Sequence, residues 1–166
     1  MINEIELDLD FEPTPSDTSD DVRGVLLPLR QTQLLLPNVT VSEVIGYRHP
    51  DPVENAPGWL LGSVTWRQRK VPIVSFEYFV HKAASRPGYR SRIALCHNLH
   101  DNPQMPFVGI LCNSIPRLAR VNTDTVAEPF LNELLPEMAI RHITYSGQDA
   151  WIPDIEALGK AASGYL

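Results

Sequence analysis

The chain has 166 residues, 43% of them hydrophobic and only two of them cysteine, so it has room for one domain whose core needs no disulfide staples. No apolar run approaches the ~20 residues of a membrane span, and the N-terminus lacks the basic and apolar regions of a signal peptide, which points to a cytoplasmic protein. The formal charge of −6 is uneven: eight of the 20 acids and none of the 14 bases precede Val22, leaving +2 on the remainder and no dense basic face for nucleic acid.

Residues 1–21, MINEIELDLDFEPTPSDTSDD, read as a disordered acidic leader. Its Pro/Ser/Thr/Asp half cannot build a core, whereas Ile5, Leu7, Leu9 and Phe11 alternate with acids. That period-2 pattern suits either disorder or addition as a strand to a sheet edge of this protein or of a partner.

From Val22 the pattern predicts strands over 24–29 and 33–37 and an extended run over 39–45. Thr40-x-x-Glu43 has the spacing of a helix capping box, but β-branched Val39, Thr40, Val41, Val44 and Ile45 favour a strand. Pro28 and Pro37 suit edge strands and bulged barrel corners. Residues 47–57, with Pro50, Pro52 and Pro57, predict an irregular loop. Two strands follow, 63–66 and 71–76, joined by a turn at Arg67-Gln68-Arg69-Lys70 whose charges must face water.

Residues 80–91 are basic and turn-rich and read as a connection between two lobes. Strands are predicted over 92–97 and 107–112, alternation continues over 115–121, and 140–145 and 150–152 look like closing strands. Phe130, Leu131, Leu134 and Leu135 have helical spacing, limited by Pro129 and Pro136 to a turn or two over 129–136. Proline and acids at 153–156, with Ile155, Leu158 and Ala162 on one face and Gly164 beyond, predict a C-terminal helix over 154–162. Cys96 and Cys112 lie in apolar strands and read as buried thiols; a disulfide is possible only if they oppose each other on neighbouring strands.

Gly62-x-x-x-Trp66-Arg67-x-x-x-Val71-Pro72-Ile73-Val74 resembles the G-x-x-x-L-R-G-x-x-V-P-V-x-D signature of CheW-like domains. Val41-Ser42-Glu43-Val44-Ile45-Gly46 resembles the family's V-x-E-I-x-G, at the family's distance from Gly62. Two positions depart from it: Gln68 stands at the turn glycine, which implies a turn without positive φ, and Ser75 at the aspartate after the second strand. The resemblance covers residues 22–160, loosely in the second lobe. It implies a mainly β fold over residues 22–166, a single domain of two small five-stranded barrels with short helical pieces and a C-terminal helix. It also implies an adaptor, not an enzyme, without cofactor, joining methyl-accepting chemoreceptors to a CheA-like histidine kinase. The leader and Gln68 are similar to the ChpC/PilI branch of pilus chemosensory systems, which controls twitching motility.

The resemblance places partner contacts at Val41, Glu43, Val44, Trp66 and Arg67. From parity alone, Val41 and Val44 face opposite ways in a regular strand, and Val44 is expected in the core. Glu43 has Arg67 as its expected intramolecular partner, and Trp66, from its alternation with Val64, is expected to be buried in the groove between the lobes. No nucleotide loop, nucleophile elbow or paired catalytic carboxylates occur. His97 and His100 are three apart, but on a strand running into a loop rather than on a helix. The alternative function is a barrel holding an anionic small molecule on Arg67, Arg69 and Lys70, or an enzyme built on the same barrel.

Overall fold

The computed structural model describes residues 21–83, 86–129 and 134–166. In chain order it contains β1 (Val22–Pro28), β2 (Gln33–Pro37), a single 3-10 turn (Asn38–Thr40), β3 (Val41–Gly46), β4 (Leu60–Trp66) and β5 (Arg69–Val74). Then come α1 (Glu77–His81), β6 (Arg92–His97), β7 (Phe107–Cys112), β8 (Arg117–Val121), β9 (Val126–Ala127), β10 (Ala139–Tyr145), β11 (Gln148–Pro153) and α2 (Ile155–Ser163). The fold is mainly β, as expected. One sheet runs β8-β1-β2-β11-β10-β9 and the other β3-β6-β7-β5-β4; the extra strand of the first is the two-residue β9.

Strand alternation sorts the side chains into three cores. On β6, Ile93 and Leu95 turn into the five-stranded lobe beside Val64, Trp66, Val71 and Ile73. Ala94 and Cys96 turn the other way, joining Val108, Ile110 and Cys112 against Val25, Leu27, Leu34 and Leu36 of the six-stranded sheet. Leu26, Leu35, Ala119, Ile143 and Ala150 fill the inside of that second lobe. Two lobe interiors therefore flank a shared interlobe core, which is why LLL in β2 and ILAC in β6 are apolar on both faces. Gly109 on β7 makes room inside the five-stranded lobe: a Cβ there would lie 2.5 Å from Cδ1 of Ile73.

α2 seals the interlobe core with Ile155, Leu158 and Ala162, all buried as their spacing predicts. Its first turn is capped by the Asp154 carboxylate, which accepts from the Ala157 N–H at 3.0 Å. α1 was not legible in the sequence, because five residues are too few for a helical period to show. The leader expected over residues 1–21 lies outside the described residues apart from Asp21. Of the helical piece expected at 129–136, residues 130–133 lie outside the described residues, and Pro129 and 134–136 carry no regular structure.

Cys96 and Cys112 are both buried and free. In the β6–β7 register Cys96 faces Val108 and Cys112 faces Arg92. Four positions of offset correspond to about 13 Å along the strands, beyond the ~7 Å that a disulfide spans between Cα atoms.

Candidate interaction site

β3 and β4 are the two edges of the five-stranded sheet, and the sheet curls until they meet. The meeting is made by few groups. After β3 the chain pairs briefly with β4: the Asp51 N–H donates to the Ser63 carbonyl at 2.8 Å and the Ser63 N–H to the Asp51 carbonyl at 2.9 Å. Gly62 makes this possible, since its φ is +140° and a Cβ there would sit 2.2 Å from the Asp51 carbonyl oxygen. Arg48 donates from Nη1 to the Thr65 carbonyl at 3.0 Å. At the far end, Arg67 Nη2 lies 3.4 Å from Glu43 Oε2.

The β4–β5 connection is a two-residue hairpin in which Arg67 (φ 48°) and Gln68 (φ 63°) both take left-handed backbone. This corrects the expectation that glutamine in place of glycine removes positive φ. The right-handed twist of the flanking strands demands a type I′ turn, and that demand overrides the side-chain preference. The turn carries the Arg67 guanidinium 4.3 Å over the Trp66 ring. Trp66 itself is buried, but inside the five-stranded lobe rather than in the groove between the lobes, because it shares the inner face of β4 with Val64; it packs edge-on against Phe107 with ring centroids 4.8 Å apart. Trp66 thus acts from inside, as the platform under an exposed cation. The Arg67 and Glu43 side chains remain 68% and 43% exposed, so their pair is a solvated surface contact.

On β3 the expected parity fails. The register with β6 shifts between Val41 and Glu43, so Ser42 is an extra residue and β3 is bulged there. Val41 faces Cys96 and Val44 faces Ala94, which puts both valines on the interlobe side. Val41 packs against the interlobe core, whereas Val44, expected in the core, is 38% exposed. Glu43 pairs with Leu95 and so shares the other face. Val39, assigned to a strand from its sequence, sits instead in the 3-10 turn before β3 and is exposed. The signal for it was Pro37-Asn38, a turn-forming pair that ends β2.

The structure therefore brings Glu43, Trp66 and Arg67 together and leaves Val44 as the exposed apolar residue on the same strand as Glu43. Ser75 is buried at the end of β5, its N–H donating to the Trp59 carbonyl at 2.8 Å. Arg69 and Lys70 are exposed on β5. A small cleft between the lobes is lined by Arg30, Glu77, Arg86, Ser91 and Asn113, and the three cations of the hairpin are not among its walls.

The family model of the CheW-like domain matches residues 23–163. Among solved structures, the chain is similar to the scaffolding protein TtCheW from Thermoanaerobacter tengcongensis. The TM-score is 0.65 over 80% of this chain and 88% of that one, at 13% identity, a likeness of fold. No curated protein sequence matches the chain.

Proposed function

The chain belongs to the CheW-like domain family, and from that premise we propose that it is an adaptor of chemotaxis-type signalling, coupling chemoreceptors to a CheA-like histidine kinase. The observation that carries this reading is the Arg67 guanidinium, exposed yet held over buried Trp66 and beside Glu43 at the mouth of a barrel. A cation held in this way loses less conformational freedom when a partner covers it, and its planar fork can bind a carboxylate bidentately. Val44, exposed on the opposite face of the strand that carries Glu43, offers a separate apolar contact on the interlobe side. Val41, half-buried against the interlobe core, supports that strand from behind. Such a role forms and breaks no covalent bond and asks for no cofactor. It fits a cytoplasmic protein, and no helix among the described residues is long and apolar enough to cross a membrane.

Arg67→Glu tests this directly. Association with the receptor or the kinase should weaken by ~2 kcal/mol or more, roughly 30-fold in Kd, because the acidic partner then meets a like charge. Folding should be unchanged by circular dichroism and melting, since the side chain buries little. Unaltered binding by an intact fold would remove Arg67 from the site. The narrower assignment to the ChpC/PilI branch rests on the acidic leader and on Gln68, and co-purification from the native host tests it: recovery of a flagellar kinase alone would refute it.

A further inference from the structure

Among the described residues the six-stranded sheet ends in β8 on one side and the two-residue β9 on the other, and β8 is the longer edge. Among the described residues β8 pairs with β1 alone, and no strand lies on its other side. An edge of this kind offers unpaired backbone donors and acceptors to any extended segment. β8 carries Arg117 and Arg120, both exposed, and Leu118, which is 84% exposed although its neighbour in register, Val25, is buried in the interlobe core.

The chain enters β1 at the end of this same edge. Asn122 donates from Nδ2 to Asp21 Oδ1 at 2.6 Å, and Arg120 Nη1 lies 4.0 Å from Asp21 Oδ2. Asp21, the last acid of the leader, is thus held where β8 ends. Upstream, residues 2–11 alternate Ile5, Leu7, Leu9 and Phe11 with Glu4, Glu6, Asp8 and Asp10, and residues 12–20 connect them to Asp21. Nine connecting residues reach up to about 30 Å, and the five residues of β8 span about 17 Å, so the segment can lie along the whole edge.

We infer that part of residues 2–11 adds to the outer edge of β8 as a further strand, its apolar row covering Leu118 and its acidic row lying beside Arg117. Main-chain hydrogen bonds supply the attachment. Register and sign come from the side chains, with the acids on the face of Arg117, while Arg120 shares the Leu118 face and keeps its acidic neighbour Asp21. The occupant is the chain's own leader because it is tethered at Asp21, at high effective concentration, and is complementary in both charge and periodicity.

Hydrogen exchange of the full-length protein, read by mass spectrometry at low salt, tests it. Amides within residues 2–11 should exchange at least about 10-fold more slowly than an unstructured chain. Leu118→Glu and Arg117→Glu, both at exposed positions, should restore the unstructured rate while β6 and β7 stay protected. Added salt should weaken the protection. Unstructured exchange in the unmodified protein overturns the inference, and so does protection that survives both substitutions. Protection that appears only as the protein dimerises with rising concentration overturns it too, in favour of a leader docked on a second copy.

Discussion

Arg67 and Gln68 hold left-handed backbone although neither is glycine, and such a conformation costs an L-residue roughly 1–2 kcal/mol. Glycine at position 68 would relieve that strain and add back about 0.4–1 kcal/mol of unfolded-state freedom. Gln68→Gly is therefore expected to stabilise the protein by about 0.5–1 kcal/mol, read as a higher urea midpoint at unchanged slope. A lower midpoint would mean that Gln68 makes contacts outweighing its backbone strain. The neighbouring Glu43–Arg67 pair contributes little to the fold, since both groups are solvated, so the effect of Arg67→Glu on binding is separable from stability.

At the scale of elements, β2, β6 and β7 begin and end where their apolar runs are bounded by polar or turn residues, and those limits were legible in the sequence. The C-terminal helix was equally legible, because capping, periodicity and terminal glycine agree over nine residues. Its N-cap makes the element testable: Asp154→Ala removes the acceptor for the Ala157 N–H and should cost ~1 kcal/mol in chemical denaturation, with Asp154→Asn recovering most of it. β3 was legible only as a strand. The bulge at Ser42 arises from pairing with β6, and without it Val41 and Val44 cannot share a face. Parity arguments within one strand have no access to such an insertion.

For the molecule as a whole, the interlobe core ties both sheets and α2 together, and residues 22–166 are expected to unfold in one transition. Ile110→Ala, cutting into that core, should lower stability by about 2–5 kcal/mol without splitting the transition; two separate melts would mean that the lobes fold independently. Two thiols lie in the same core. Burial pushes Cys112 up to about 12, a hydrogen bond from the Ala94 backbone opposing it, and burial, then the nearby Cys112, raises Cys96 further. A free thiol ionises near 8.5, so above that pH the unfolded chain gives up protons that the folded chain keeps. The stabilisation is complete below about pH 8.5 and is lost as pH climbs toward 12, by roughly 1.4 kcal/mol per unit for each thiol. Denaturation at pH 8 to 10.5 should show this slope, and Cys96→Ala should reduce it by about half.

Ten of the eleven strands among the described residues, the capped terminal helix and the Gly62-to-Val74 motif were determined by local chemistry: apolar periodicity, β-branched runs, prolines and glycines; the two-residue β9 was not. The motif's residues also indicated the family, because turn, cation and buried strand are contiguous in the chain. The tertiary structure decided what depends on distant segments. It set the left-handed turn at Arg67 and Gln68, which strand twist imposes, and the bulge that exposes Val44, which the β6 register imposes. It also set the position of Arg67 over Trp66 and beside Glu43, which requires a sheet curled until its two edges meet. Local propensities act over a few residues, whereas twist, register and closure are properties of paired strands, and those pairs lie as far apart in this chain as Leu34 and Trp151.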